Sequence, residues 1–465
     1  MWFRRDLRLH DNPALLAAGA RGPVVPLFVL DPALWHPAGP VRQTWLARSL
    51  RALDADLRAL GAPGLHVRLG NPLVEVPALV AKLARADSTG AAQVHAAADF
   101  GPYGRRRDRQ LAEVLPNAGA ELVFTGSPYA VAPGRVVKPS DGTPYRVYTP
   151  FYRAWCSHGW RAPAPGPQGI SWAELAPGDG LASVTEPDLD GVRLPAVGEK
   201  AALARWEQFV KTALAGYENT RNRPDLAGTS RLSPHLRWGE IHPRTILAGL
   251  ASHPDEPEFG DHDVFRKEIA WREFYADVLA NSPRTARENL DRRYDAMEWD
   301  TGADADSVLL AWQQGRTGFP AVDAAMRQLL SEGWMHNRMR MVTASFLIKD
   351  LHLSWQLGAR WFMARLADGD VASNSHGWQW TAGSGTDASP FFRVFNPIEQ
   401  GKKFDPSGDY VRRYIPELAH LTGASAHEPW LAPRGYSHEY PQRIIDHATE
   451  RAEALRRLQA IKAPS

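Results

Sequence analysis

The chain has 465 residues, of which 44% are hydrophobic and 23% charged, with a formal net charge of +2. That length allows more than one domain, and the balance fits a globular protein with a sizeable core. Cys156 is the single cysteine and no apolar run is long enough to span a bilayer, which excludes an internal disulfide framework, a cysteine-rich zinc site and a membrane-spanning helix.

The opening "MWFRRDLRLHDNPALL" has no long apolar stretch, so no secretory signal is expected and a reducing, cytoplasmic setting is the simplest reading. Only Met1–Phe3 precede the polar "RRD", so the first strand is expected to be short. "VVPLFVL" (24–30) is a continuous apolar run, as in a strand buried on both faces. Leu46, Leu50, Leu53, Leu57 and Leu60 follow at helical spacing. "LHVRLG" (65–70) predicts a strand, Val76, Leu79, Val80 and Leu83 a helix, and "QVHAAAD" (93–99) and "ELVFTG" (121–126) two more strands. This alternation predicts a Rossmann-like parallel sheet covered by helices over residues 1–126.

Residues 127–197 are rich in Pro and Gly ("APAPGPQG", "LAPGDG") and read as an interdomain linker. From 198 to 465 the pattern is helical. Trp206, Phe209, Val210, Ala213, Leu214 and Tyr217 form one apolar stripe, and Val322, Ala325, Met326 and Leu329 another behind Pro320, which suits a first helical turn. The expected architecture is an α/β domain, a long linker and an all-α domain.

Five clusters in the helical part carry chemistry. "GTSRLS" (228–233) offers backbone N–H groups, hydroxyls and an arginine before Pro234; it fits a phosphate cradle at a helix start and equally a plain N-cap. In "EIAWREFY" (268–275), Glu268, Trp271 and Tyr275 share a helical face, which suits a flat polar ligand or a half-buried interface. In "GWMHNRMRM" (333–341), Asn337, Arg340 and Met341 share a face, and an interior Asn–Arg pair demands a polar partner that a solvated helix side does not. "DGDVASNSHGWQW" (368–380) packs two aspartates, an asparagine and two indoles into one stretch. "SPFFRVFNPIEQGKKFD" (389–405) interleaves aromatic and basic residues, as in stacking with phosphate contact or in an aromatic loop with a solvated rim. "TAGSGTDAS" (381–389) follows no strand, and neither H-E-x-x-H nor G-x-S-x-G occurs, which argues against dinucleotide-fingerprint, zinc-hydrolase and serine-hydrolase chemistry.

Together these clusters resemble the photolyase/cryptochrome flavoproteins, and most closely the bacterial class I photolyases that split cyclobutane pyrimidine dimers. The likeness runs from "WFRRDLRLHDNPAL" (2–15) through "GTSRLSP", "WREFY", "TGFPAVDAAMRQLLSEGWMHNRMRMVTASFLIKDL" and "DGDVASNSHGWQW" to "FNPIEQGKKFDPSGDYVRRYIPEL". It implies an α/β antenna domain and a helical domain holding FAD, active as reduced FADH⁻. It also implies a monomeric carbon–carbon lyase acting on UV-damaged DNA, single- or double-stranded, away from membranes.

By position, the resemblance assigns Tyr217, Thr229, Ser230, Arg231, Leu232 and Ser233 to the FAD phosphates and ribityl chain. Asp368 and Asp370 face the flavin ring and ribose, Arg340 balances Asp368, and Asn374 faces flavin N5. Phe265, Glu268, Arg272 and Asn337 are further cofactor contacts. Trp378, Trp355 and Trp299 match the chain that photoreduces FAD. Trp271 and Trp380 match the wall against which a flipped-out dimer packs; Glu268, Asn337 and Met341 line the same cavity. Arg221, Glu268, Trp271, Tyr275, Asn337, Arg338, Arg393 and Gln400 are the implied DNA contacts. Repair of (6-4) photoproducts and blue-light signalling without repair are the alternatives. For a second chromophore, "DFGPYGRRRDRQ" (99–110) carries Tyr103 and Gly104 where folate-binding relatives show Asn-Glu, which favours deazaflavin or FMN.

Overall fold

A computed structural model describes residues 1–86, 92–175, 178–251, 260–387 and 393–461. The chain divides into two compact units that interleave in sequence. One is built from Met1–Leu189, Pro195–Thr212 and Ser230–Pro283, the other from Asp190–Leu194, Ala213–Thr229 and Arg284–Ser465.

The first unit carries the sheet. Strands β1 (Trp2–Phe3), β2 (Leu27–Leu30) and β3 (His66–Leu69) run parallel in that order, and β4 (Ala92–Ala96) pairs in parallel with β5 (Ala120–Phe124). Parallel neighbours need crossovers, and the helices Pro13–Gly19, Pro40–Ala59 and Pro102–Val114 supply them, while Pro72–Ala86 links β3 to β4 in the second, two-stranded sheet. Each begins with proline, whose fixed φ and missing N–H suit the first turn. All four residues of β2 are buried, as the apolar run predicts. Trp2, Leu27, Val29, Val76, Leu79, Val94 and Leu111 belong to one core cluster. Leu46, Leu50, Leu53 and Leu57 are buried on their helix, but Leu60 falls past its end and is exposed.

Two features of this unit differ from the sequence pattern. The Pro/Gly-rich stretch carries a helix, Tyr148–His158, with Tyr148, Phe151 and Trp155 buried at helical spacing. The apolar stripe begun by Trp206 and Phe209 ends at Thr212, and Gly216, at φ 86°, turns the chain before Tyr217 opens a separate short helix in the second unit. A left-handed residue cannot sit inside a continuing α-helix, so one stripe becomes two elements.

The second unit is helical. Its main helices are Ala303–Gln314, Pro320–Glu332, Asn337–Lys349, Trp355–Arg365, Val371–Ala382, Pro397–Phe404 and His447–Ala460. Their shared core includes Trp312, Phe319, Met326, Phe346, Trp355, Phe362, Trp378 and Tyr410. Local chemistry fixes the ends. Pro320 stands at a first turn, Gly333 (φ 61°) closes that helix, and Asp370 and Asn396 cap Val371–Ala382 and Pro397–Phe404 by accepting backbone N–H bonds from Ser373, and from Ile398 and Glu399. Among the described residues, no helix is long and apolar enough to cross a membrane.

Candidate active site

In the first unit, the helix Asp261–Asn281 carries Phe265, Glu268, Trp271, Arg272 and Tyr275. It has two working faces. Glu273 and Asp277, one turn apart, are buried on one of them. Glu273 accepts from the backbone N–H of Ala130 (2.5 Å) and Val131 (3.1 Å) and from the Trp155 indole (2.7 Å), and Asp277 accepts from Gly134 N–H (2.6 Å). Burial pushes both carboxyls up, against the pull of these bonds. On the other face Glu268, Trp271 and Tyr275 are half-buried. The Trp271 ring stacks on Tyr148 with centroids 3.7 Å apart and planes 8° apart, while Phe274 and Tyr275 meet it at 5.7 and 5.4 Å. The Tyr148 hydroxyl donates to the Lys267 carbonyl at 2.8 Å, so that ring is fixed at both ends. Tyr148 was not singled out in the sequence, although the aromatic spacing of "YTPFYRAW" marks it.

Arg272 donates to the carbonyls of Pro128 and Leu236 and lies over Tyr129, and Phe265 is buried against Phe209 and Trp206. Ser230 Oγ accepts from Leu232 N–H at 3.3 Å, Arg231 adopts φ 52°, and Ser233 and Pro234 open the short helix to Trp238. Arg231 and Ser233 are exposed. Elsewhere in this unit Tyr103 donates to Asp31, with Arg106 and Arg107 over its ring, and Gly104 sits where a Cβ would fall 2.1 Å from the Asp99 carboxylate.

In the second unit, the polar cluster of 368–380 is assembled by two helices and the turn before the second. Arg340 grips Asp368 through two bonds, 3.1 and 2.7 Å, and its Nε donates to the Met335 carbonyl. Such a bidentate pair fixes the carboxylate plane. Asp370 caps the helix that follows. Asn374 Nδ2 donates to the Ala359 carbonyl at 3.0 Å, which leaves its oxygen and one N–H for another partner. This set of a guanidinium, two carboxylates and an amide fits the imide edge and hydroxyls of a flavin nucleotide, which present both donors and acceptors.

The tryptophans of this unit differ in their surroundings. Trp378 is 2% exposed. Phe362 and Trp312 meet its ring edge-on at 5.0 and 6.2 Å, and a Cβ on Gly358 would fall 2.1 Å from it, so only glycine fits there. Trp355 is buried with its indole N–H on Asn289 Oδ1 at 2.9 Å. Trp299 packs against the core and is half-buried, and Trp380, two residues beyond Trp378, is half-buried too. Asn337 is exposed at the first turn of its helix, and Met341 follows one turn later, half-buried.

Among the basic candidates, Arg221 lies over the Tyr217 ring, and Arg338 donates twice to Asn222 Oδ1 and lies over Phe404. Arg393 is exposed, its carbonyl accepting from Lys349; Gln400 is half-buried in the Pro397–Phe404 helix. Thr229 is half-buried and Tyr217 buried. The aromatic stretch at 389–392 lies outside the described residues.

An α/β layer together with a helical part that fits a flavin nucleotide defines a class of FAD-binding proteins. Residues 1–168 match the family described as DNA photolyase, and residues 265–460 match the FAD binding domain of DNA photolyase. The chain is 43% identical over 467 residues to a deoxyribodipyrimidine photo-lyase of Streptomyces griseus, covering 97% of this chain and 96% of that one. It is 40% identical over 489 residues to one of Agrobacterium fabrum, covering 99% and 98%. Among solved structures, a bacterial class III photolyase from Agrobacterium tumefaciens superposes with a TM-score of 0.89 at 38% identity, covering 99% of this chain and 97% of that one. The chain belongs to the DNA photolyase family.

Proposed function

We propose that this protein uses blue or near-UV light to split cyclobutane pyrimidine dimers in DNA, the activity for which its full-length relatives are named. Bound and reduced, FAD supplies the light absorption and the electron; the chain's residues bind, orient and insulate. Tyr217 and Thr229–Ser233 hold the phosphates and ribityl chain. Phe265, Arg272 and Asn337 border the cofactor. Arg340 keeps Asp368 oriented as an acceptor, with Asp370 beside the ribose. Asn374 presents an amide, which cannot hand over a proton as a carboxylic acid can, and this suits a flavin kept as an anion.

The dimer leaves the duplex stack and packs on Trp271 and Trp380, with Asn337 and Met341 around it. Glu268 holds the dimer's carbonyl side and steadies the negative charge that develops there. The dimer takes one electron, its cyclobutane ring opens, and the electron is returned, so there is no net redox change. Arg221, Tyr275, Arg338, Arg393 and Gln400 contact the strand around it, mainly at phosphates. Trp378, Trp355 and Trp299 form the separate relay that reduces oxidised FAD under light. If this chain carries a second chromophore, the Tyr103–Gly104 segment suits a deazaflavin or FMN, which would supply antenna absorption.

The observation that carries this reading is Trp271, a half-buried indole backed on one face by Tyr148 and sharing its helical face with Glu268. The test is survival of a repair-deficient bacterial strain after UV. Expression of this chain should restore survival in visible light and not in the dark. Rescue equal in the dark, or none at all, would overturn it. Rescue that clears only (6-4) photoproducts from the DNA would select the neighbouring activity.

A further inference from the structure

We propose that the C-terminal helix His447–Ala460 is a splint that sets the spacing between Trp299 and Trp355, with Arg457 and Glu450 as its positioning residues. The proposal rests on the reading of Trp378, Trp355 and Trp299 as an electron relay. Two separate segments carry the outer two indoles, and the helix grips both.

On the Trp299 side, Arg457 Nη1 pairs with Asp300 Oδ1 at 2.7 Å and also donates to the Glu298 carbonyl at 3.2 Å. Glu453, one turn back, holds the same guanidinium through Nε at 2.7 Å. The residues immediately before and after Trp299 are therefore tied to one side chain, which is itself only 11% exposed. On the Trp355 side, His352 Nε2 meets Glu450 Oε2 at 2.8 Å, and His447 Nδ1 meets Asp350 Oδ1 at 2.5 Å. His352 adopts φ 50°, a conformation that needs holding in a residue with a Cβ. The backbone joins the two sides directly, since Asp300 N–H donates to the His352 carbonyl at 3.0 Å. Ala454 and Leu458 are buried on the same helix and seat it. Trp355 is fixed by its own bond to Asn289, whereas Trp299 sits at the rim of the core.

Asp300 stays 46% exposed in its pair with Arg457, and a pair so open adds little to stability, so the contacts converging on Glu298–Asp300 are better explained by position. Position matters because the rate of electron transfer falls steeply with separation. In the step concerned, one electron leaves the Trp299 indole and fills the vacancy on Trp355. That vacancy forms when Trp355 re-reduces Trp378, which has given its electron to light-excited oxidised flavin. A thiol in the medium then returns an electron to Trp299.

The test uses the full-length, FAD-loaded protein. Blue-light reduction of FAD in the presence of a thiol is timed for Arg457→Ala, Arg457→Lys, Glu450→Gln, Asp300→Asn and Trp299→Phe. FAD content and dimer repair after chemical reduction are measured alongside. Arg457→Ala and Glu450→Gln should lose photoreduction most of the way to the Trp299→Phe level. Arg457→Lys should recover part of it, and FAD content and repair should stay at wild-type levels. If Arg457→Ala does not fold, Asp300→Asn, which removes the charge pair in place, carries the same expectation. Slow photoreduction in Trp299→Phe with wild-type rates in the splint variants overturns the splint alone. Wild-type photoreduction in Trp299→Phe overturns the relay reading and the splint with it. Parallel loss of FAD or of repair in the splint variants makes the helix merely structural and overturns the proposal.

Discussion

The helices Asp261–Asn281 and Val371–Ala382 each carry a tryptophan to which we assign a function, and they treat the indole in opposite ways. Trp271 is half-buried, with one ring face stacked on Tyr148. Trp378 is enclosed edge-on by Phe362 and Trp312 and pressed against Gly358. The difference fits the two roles we propose. A ring that binds a base has to keep a face accessible, and a rigid backing lowers the entropy cost of ordering it. A ring that only passes an electron gains from burial, which fixes its distances and keeps water away.

The sharpest break of this comparison is Trp378→Phe. The change keeps most of the aromatic volume, so the fold and FAD should remain. Repair by chemically reduced protein should also remain. Photoreduction of oxidised FAD should be lost, because Phe is far harder to oxidise than Trp. A wild-type photoreduction rate would mean that burial of Trp378 serves packing alone. Trp380→Phe should show the converse, with photoreduction intact and dimer binding weakened.

The structural face of the first helix can be broken separately. Glu273→Ala leaves the N–H groups of Ala130, Val131 and Trp155 without their acceptor. A loss of about 3–5 kcal/mol in denaturant unfolding is expected for such a buried network. The protein that remains folded should bind dimer-containing DNA as before, since Glu268 and Trp271 lie on the other face. A loss below 1 kcal/mol on the order-of-magnitude scale of an exposed pair would demote Glu273 from anchor to bystander.

The second helix has its own interior polar group. His376 is buried, with Nδ1 on the Ala372 carbonyl and Nε2 on Thr285 Oγ1. Burial pushes it from 6.5 down to about 4. The unfolded chain therefore takes up the proton first as pH falls, and the contribution is full above 6.5 and lost on the way down through about 4. Relative to His376→Gln, which does not titrate, the wild type should lose up to about 3 kcal/mol of stability across that window, at about 1.4 kcal/mol per unit. Parallel stability–pH curves for the two proteins would show that His376 does not carry this acid sensitivity.

Trp271→Ala has the smallest expected effect in energy and the most specific one. Stacking of a base on an aromatic is worth roughly 1–3 kcal/mol, so affinity for dimer-containing DNA should fall about ten- to a hundredfold. FAD content should not change. Equal affinity in a gel-shift titration would remove Trp271 from the dimer wall.

Residues whose role follows from local pattern were legible in the sequence. The buried β2 strand showed as an unbroken apolar run, the Pro320–Glu332 helix showed through its first-turn proline and apolar stripe, and the shared face of Glu268, Trp271 and Tyr275 follows from helical spacing. Residues whose role depends on a distant partner were not. Glu273 reads like any helical glutamate until Ala130, Val131 and Trp155 are seen around it, more than 100 residues away in sequence. Arg457 reads as a solvated C-terminal charge until Asp300 is found on it. The Tyr148–His158 helix was masked by the prolines and glycines on either side, although its aromatic spacing was there to be read. Gly216 shows why a stripe of apolar residues can overrun a helix: periodicity does not register a single left-handed residue.

The central claim is that an electron supplied in light opens the dimer. Protein reduced chemically beforehand, mixed with an oligonucleotide carrying one cyclobutane thymine dimer, tests it without any help from the tryptophan relay. Blue light should restore the ultraviolet absorbance of the two thymines over many turnovers per protein molecule, with no change in the dark and none for a (6-4) lesion in the same sequence. Restoration in the dark, or none under light with the flavin demonstrably reduced, would contradict the account.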